Sequence, residues 1–238
     1  MIKQALILAG GLGSRLGGLT KETPKPMLLV GGHPFIGYLI WNLKRQGFNK
    51  VIISIGYKAE KIISYINSEL KHIKGIEYVQ EHNPMGTGGA LKLASSKLDP
   101  HFLVINGDSL FDINYMNLIK FSQKFPKALV SLALREVKDN SRYGKVLIDD
   151  EKIKGFSENK DVNNNNLING GVYLINRKVL EFIPDGNFSL ESDLFPKLVH
   201  QELIIGKKCG GYFIDIGIPL DYNRSQIELP KWQKLASR

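Results

Sequence analysis

Cysteine occurs once in 238 residues, at Cys209. One thiol excludes an internal disulfide and any cysteine-built zinc site, and it fits a reducing compartment. Histidine is also scarce. His33, His72, His82, His101 and His200 show no i, i+4 pairing and no other metal-binding spacing. No apolar run approaches bilayer-spanning length, and the first one stops at Gly10, too early for a secretory signal. The cytoplasm is therefore the expected location, with no membrane partner. Ser14, Ser109 and Ser141 lack a nucleophile-elbow context, so covalent serine chemistry is not expected. The net charge is +9, yet no run of five or six basic residues exists and none interleave with aromatics. That distribution argues against a nucleic-acid partner. Phosphate-rich small substrates and a plain solubilising surface both account for the excess.

What the chain does have is alternation. Gln4–Ala9, Val51–Ile55, Ile76–Gln80 and His101–Asn106 read as strands. Ile36–Gln46, Ala59–Leu70, Gly88–Ser95 and Met116–Lys124 read as the helices between and after them. Strands alternating with helices predict an α/β, Rossmann-like, mostly parallel central sheet with helices on both faces. Ligands of such sheets bind beyond the carboxyl ends of the strands. The second half changes character: Leu129–Leu134, Lys145–Ile148, Ile153–Phe156 and Gly171–Ile175 are strands with few helices between them. They predict a small antiparallel extension covering the site. Leu190–His200 and Pro219–Ile227 look helical, Leu203–Lys207 and Tyr212–Asp215 extended, and Asp161–Asn166 is a polar loop. Repeats and long linkers are absent, so 1–238 reads as a single domain, with a core over 1–128 and, over 129–238, a second lobe that also completes the sheet.

Five short segments carry chemistry. Leu8, Ala9, Gly10, Gly11, Gly13 and Ser14 surround a glycine cluster directly after the first strand. Backbone N–H groups there can approach an anion without Cβ interference, or the cluster is a simple glycine-rich turn. It is neither a dinucleotide fingerprint nor a Walker loop, because the last glycine and the Gly-Lys-[Ser/Thr] ending are missing. Arg15 leaves that loop with a planar fork suited to phosphate, and Lys25 follows between Pro24 and Pro26. Asp108, in Asn106-Gly107-Asp108, and Asp215, in Phe213-Ile214-Asp215-Ile216-Gly217, each end an apolar strand. Two such carboxylates suit Mg²⁺, which uses one or two carboxylates plus substrate phosphates; a turn or cap role is the alternative for each. Gly86-Thr87-Gly88-Gly89 opens a helix, where bare backbone and helix N–H donors could meet a flat base, or simply start the helix. Asn169-Gly170-Gly171 could admit a sugar ring or form a bulge.

Together these segments resemble the sugar-1-phosphate nucleotidyltransferases, of the glucose-1-phosphate thymidylyltransferase and mannose-1-phosphate guanylyltransferase type. The matching stretches are LAGGLGSRLGGLTKETPKPM (Leu8–Met27), GTGGAL (Gly86–Leu91), NGD (Asn106–Asp108), NGG (Asn169–Gly171) and FIDIGIP (Phe213–Pro219). They follow the family's order and span nearly the whole chain. The resemblance implies a nucleotidyltransferase, GT-A-like fold with a nucleotide-binding core and a sugar-binding lobe. It implies Arg15 and Lys25 on the triphosphate, with Asp108 and Asp215 holding Mg²⁺. Gln80, Glu81, Gly86 and Thr87, with Gly88 beside them, would lie near base and ribose. Asn106, Tyr143, Gly144, Glu158, Lys160, Asn169 and Gly170 would lie near the sugar phosphate. Two departures stand out. Lys160 falls one position later than the lysine of the family's Phe-x-Glu-Lys-Pro, and Ile218 replaces the usual threonine after Asp-x-Gly. Within the family, compact length and GTGGAL look most like guanylyltransferases acting on D-glycero-α-D-manno-heptose 1-phosphate. The implied partners are a nucleoside triphosphate, GTP first, and a sugar 1-phosphate; UTP or dTTP with a hexose 1-phosphate is the alternative. A non-catalytic nucleotide-sugar sensor is the rival from another class. A homo-oligomer is left open.

Overall fold

A computed structural model describes residues 2–137, 144–157 and 166–237. Its strands are β1 (Gln4–Ala9), β2 (Leu29–Val30), β3 (His33–Pro34), β4 (Lys50–Ile55), β5 (Ile76–Gln80), β6 (His101–Asn106) and β7 (Ser109–Asp112). The second half adds β8 (Val130–Glu136), β9 (Lys145–Asp149), β10 (Lys152–Ser157), β11 (Leu167–Asn176), β12 (Ile204–Cys209) and β13 (Tyr212–Asp215). The helices are α1 (Phe35–Arg45), α2 (Ala59–Ser68), α3 (Gly86–Leu93), α4 (Tyr115–Ser122), α5 (Phe195–His200) and α6 (Pro219–Ala236).

Nine strands form one sheet in the order β5-β4-β1-β6-β11-β8-β12-β10-β9. The first four are parallel, as the strand–helix alternation requires. β11 then inserts antiparallel between β6 and β8, and β12 returns parallel to β8. The antiparallel strands of the second half therefore complete the same sheet. Alternation along a strand marks which face is buried but not which neighbour it meets. A separate two-strand ribbon pairs β7 with β13, placing Asp215 opposite Ser109.

Side-chain alternation assigns the two faces. Ala5, Ile7 and Ala9 of β1 join a core that includes Phe35, Ile36 and Leu39 of α1, Ile62 of α2, Leu118 of α4 and Trp232 of α6. Leu6 points the other way, with Leu91 of α3, Phe195 of α5 and Tyr173 of β11. Residues on both faces are buried to near zero exposure, which is why β1, β4 and β6 read as continuous apolar runs. No helix among the described residues is long and apolar enough to cross a membrane.

The C-terminal helix extends well past the expected end at Ile227, running through Pro230 to Ala236. Proline inside a helix removes one ladder bond and costs about 3 kcal/mol, so packing must offset it. Leu229 and Trp232 are buried. The Trp232 indole meets Trp41 edge-on, stacks on Tyr212 and donates from Nε1 to Asp112 Oδ2 at 2.9 Å. Arg45 lies over both indoles and pairs with Asp112. Trp232→Ala should thus destabilise the protein by about 3–5 kcal/mol. Urea unfolding would read this directly, and a loss under 1 kcal/mol would show that α6 is not held by this anchor.

Candidate active site

The site lies where β1, β4, β5 and β6 end. A cavity of about 620 Å³ is lined there by Leu8–Ser14, Lys25, Gly56, Tyr57, Glu81–Thr87, Ala90, Asn106–Asp108 and Asn187, among others. That volume is typical of a small-molecule pocket.

Chain entry into the site requires glycine at two points. Gly13 takes a left-handed conformation, φ 69°, and its missing Cβ leaves room for the Lys25 stem and Thr20. A Cβ on Gly10 would stand 2.1 Å from Glu81 Oε1. The Glu81 side chain lies against Gly10 and Gly56, with Oε2 buried and without a hydrogen-bond partner among the described residues. Burial raises its pKa, opposed by a backbone hydrogen bond from Met85. Buried acceptors ordinarily meet a donor, so the free Oε2 marks this carboxylate as a candidate ligand contact.

Charges converge at the other end of the cavity. Lys25 is buried, and its Nζ lies 2.8 Å from Asp108 Oδ2. Ser109 Oγ donates to Asp108 Oδ1 at 3.1 Å. The β7–β13 ribbon and an Ile216 N–H bond to Asp108 O, 2.9 Å, bring Asp215 alongside. Asp215 Oδ1 accepts from Gly217 N at 2.6 Å. Burial first, and then the charge of Asp108, push the Asp215 carboxyl up to about 6, against Lys25 and Arg15. Arg15 is exposed, with Nη2 about 3.5 Å from where a Cβ on Gly217 would stand. The four charged residues from distant stretches do meet. A repelling carboxylate pair beside a cavity suits a hard divalent cation. No group of three or more His, Cys, Asp or Glu is assembled among the described residues, so an ion here would depend on substrate oxygens as well.

Other expected residues are placed differently. Gln80 is exposed at the end of β5 and Gly88 is buried; neither lines the cavity. The N–H groups of Gly88 and Gly89 donate to Phe188 O at 2.8 and 3.1 Å, so they are not free for a ligand. Their missing Cβ atoms make room for Phe188 and the Gly186 carbonyl, a packing role in place of the donor role expected from the helix start. Asn169-Gly170-Gly171 does form a bulge: β11 shifts register between Asn169 and Tyr173, and Gly171, φ 71°, packs on Asn106. Gly144 is exposed just before β9. Tyr143, Glu158 and Lys160 lie outside the described residues. Glu191 was not legible as a site residue. Its Oε2 accepts from Thr87 Oγ1 at 2.6 Å and its Oε1 from Tyr173 OH at 3.2 Å. In Ser189-Leu190-Glu191-Ser192-Asp193 the sequence shows only a helix start: a cap serine followed by acids.

A Rossmann-like sheet whose glycine loop, paired aspartates and basic residues meet at the strand ends is the architecture of a nucleotide-handling transferase. A nucleotidyl transferase family model matches residues 4–229, and the chain belongs to that family. It is 40% identical over 228 residues to the D-glycero-α-D-manno-heptose 1-phosphate guanylyltransferase of Aneurinibacillus thermoaerophilus, covering 95% of this chain and 98% of that one. The enzyme of the same name from Campylobacter jejuni is 38% identical, covering 92% and 96%. Among solved structures, HddC from Yersinia pseudotuberculosis complexed with GMP-PN superposes with a TM-score of 0.83 at 35% identity, covering 96% and 100%. A second structure of HddC from the same organism superposes with a TM-score of 0.86 at 34% identity, with the same coverage.

Proposed function

We propose that this protein transfers the guanylyl group of GTP to D-glycero-α-D-manno-heptose 1-phosphate, in the cytoplasm. A sugar-phosphate oxygen attacks the α-phosphorus in line, a P–O bond forms, the bond to the β-phosphate oxygen breaks, and pyrophosphate leaves. The attacking oxygen is already anionic at neutral pH, so no general base is required. The difficulty is electrostatic, since two polyanions must meet. The reading is carried by Lys25 and Asp108 in the cavity lining, with Asp215 and Arg15 beside them.

Asp108 and Asp215 would hold Mg²⁺. When bound, that ion supplies charge neutralisation between the reacting phosphates. Lys25, paired with Asp108, would neutralise the triphosphate. Arg15, exposed on the glycine loop, has the planar fork to take phosphate oxygens bidentately as substrate arrives. The heptose assignment rests on the relatives; the base assignment also rests on Glu81. A carboxylate only accepts hydrogen bonds. Guanine alone among the four common bases presents two adjacent donors, N1–H and N2–H, on one edge. Uracil and thymine flank their single N3–H with two carbonyl oxygens that a carboxylate repels.

Glu81→Gln should therefore lower kcat/KM for GTP by about 10–10²-fold and narrow the preference for GTP over UTP. Competition between the two triphosphates measures this, and an unchanged ratio removes Glu81 from base recognition. The function as a whole is tested by mass spectrometry of products from four nucleoside triphosphates against heptose, mannose and glucose 1-phosphates, with Mg²⁺ or EDTA. GDP-heptose with pyrophosphate, abolished by EDTA, is the expected outcome. No nucleotide sugar from any pair would support a non-catalytic sensor.

A further inference from the structure

We infer that Glu191 is a positioning residue that couples the two substrate half-sites, holding the nucleotide-side Thr87 with one carboxylate oxygen and the sugar-side Tyr173–asparagine set with the other. This rests on the function proposed above. Glu191 sits in a π-helical turn, Leu190–Leu194, whose cap Ser189 accepts from the Glu191 and Ser192 N–H groups at 3.2 and 3.1 Å. π-helical turns recur at functional sites because the widened backbone re-aims a side chain.

The proton positions follow from the inventory of donors. Thr87 Oγ1 accepts from Leu190 N at 2.8 Å, and its hydrogen goes to Glu191 Oε2 at 2.6 Å. Ser189 Oγ also donates to that oxygen, at 3.2 Å. Tyr173 is wholly buried; burial, followed by the Glu191 charge, keeps its phenol protonated. Its one hydrogen is directed to Glu191 Oε1 at 3.2 Å. The phenol oxygen can then only accept, and it does so from Asn169 Nδ2 at 2.9 Å and Asn106 Nδ2 at 3.4 Å. The orientation of both amides is thereby set by Glu191, an acceptor-only group. Asn169 Oδ1 in turn takes the Gly171 N–H at 2.9 Å. Thr87 and Asn106 both line the cavity, so the chain of bonds begins and ends in its lining.

A brace that only stabilised the fold would lower the melting temperature without distinguishing the substrates. The coupled arrangement makes a different demand. Tyr173→Phe removes the sugar-side link and leaves Glu191–Thr87 in place, so KM for the sugar 1-phosphate should rise roughly tenfold with KM for GTP within about twofold. Thr87→Val should do the reverse. The double variant should lose about threefold less or more in kcat/KM than the product of the single losses, because both act through one carboxylate. In a Glu191→Gln background that non-additivity should vanish. Tyr173→Phe and Thr87→Val are near-isosteric, so the measurement stands even where Glu191→Gln folds poorly. Equal effects on both KM values, or losses that simply multiply, would overturn the inference while the wild type still turns over. A wild type making no nucleotide sugar would overturn the proposed function and this inference with it.

Discussion

Asp108→Asn is expected to cut nucleotidyl transfer by about 10²–10³-fold with the fold intact. The substitution keeps size and one acceptor oxygen, which can still take Lys25 Nζ, while the Ser109 hydroxyl, a donor to the other carboxylate oxygen, can turn to accept from the new amide. What is lost is one negative charge at the meeting point of Lys25, Arg15 and Asp215. Two consequences follow from that loss. The proposed Mg²⁺ site is left with Asp215 as its only carboxylate, so metal affinity falls. Lys25, nearly buried, loses its closest counter-charge and turns towards Asp215, away from where it would meet the triphosphate. Raising the Mg²⁺ concentration should recover part of the rate if the first consequence dominates, and none if the second does. Pyrophosphate release across a magnesium titration reads both, with far-ultraviolet circular dichroism confirming the fold. A variant within threefold of wild type at every magnesium concentration would place the chemistry elsewhere.

How much of this was legible in the sequence depends on the kind of force involved. β1, β5, β6 and β13 run over the residues expected of them: β1 and β6 are buried aliphatic runs with few other readings, and β5 and β13 are short, half-buried runs rich in β-branched or aromatic residues. The convergence of Asp108 and Asp215 could be suggested by the strand-end pattern but not established by it. It depends on β7, a short strand that sequence reasoning passed over, pairing with β13. Local propensity ends the C-terminal helix before Pro230, whereas burial of Leu229 and Trp232, a tertiary effect, carries it on to Ala236. Gly88 and Gly89 show the opposite error. Their composition signals close approach, and close approach is what occurs, but by the Gly186–Phe188 segment of the same chain. A glycine reports that something comes near without reporting what. Glu191 is silent in the sequence for a related reason: its partners, Thr87 and Tyr173, are 104 and 18 residues away, and nothing local distinguishes it from a helix-start acid.

Asp215→Asn should make the metal-free protein more stable while removing most of its activity. The Asp215 carboxyl is raised from 3.8 to about 6 by burial and by the charge of Asp108. A folded-state pKa above the unfolded value means that the folded protein holds this proton more tightly. Below about pH 4 the group is protonated in both states and costs nothing. As pH rises through about 6 the unfolded chain has already released the proton, and the folded chain must then bury a charge beside another carboxylate. At about 1.4 kcal/mol per unit, the penalty above pH 7 is at most about 3 kcal/mol, and a neutral carboxamide avoids it. Asparagine also retains an oxygen for the Gly217 N–H bond. The stability difference between variant and wild type should therefore grow from near zero at pH 4 to about 1–3 kcal/mol at pH 7–8. Mg²⁺ should stabilise the wild type at neutral pH by binding the folded state, and should stabilise the variant far less. Denaturant unfolding at several pH values, with and without Mg²⁺, measures both trends. A difference that stays flat with pH would mean that Asp215 is not held at a cost. Equal stabilisation of the two proteins by Mg²⁺ would mean that it is not a ligand. Seen together, the trends would identify a carboxylate that the fold tolerates at its own expense because the proposed chemistry needs a second negative charge next to Asp108.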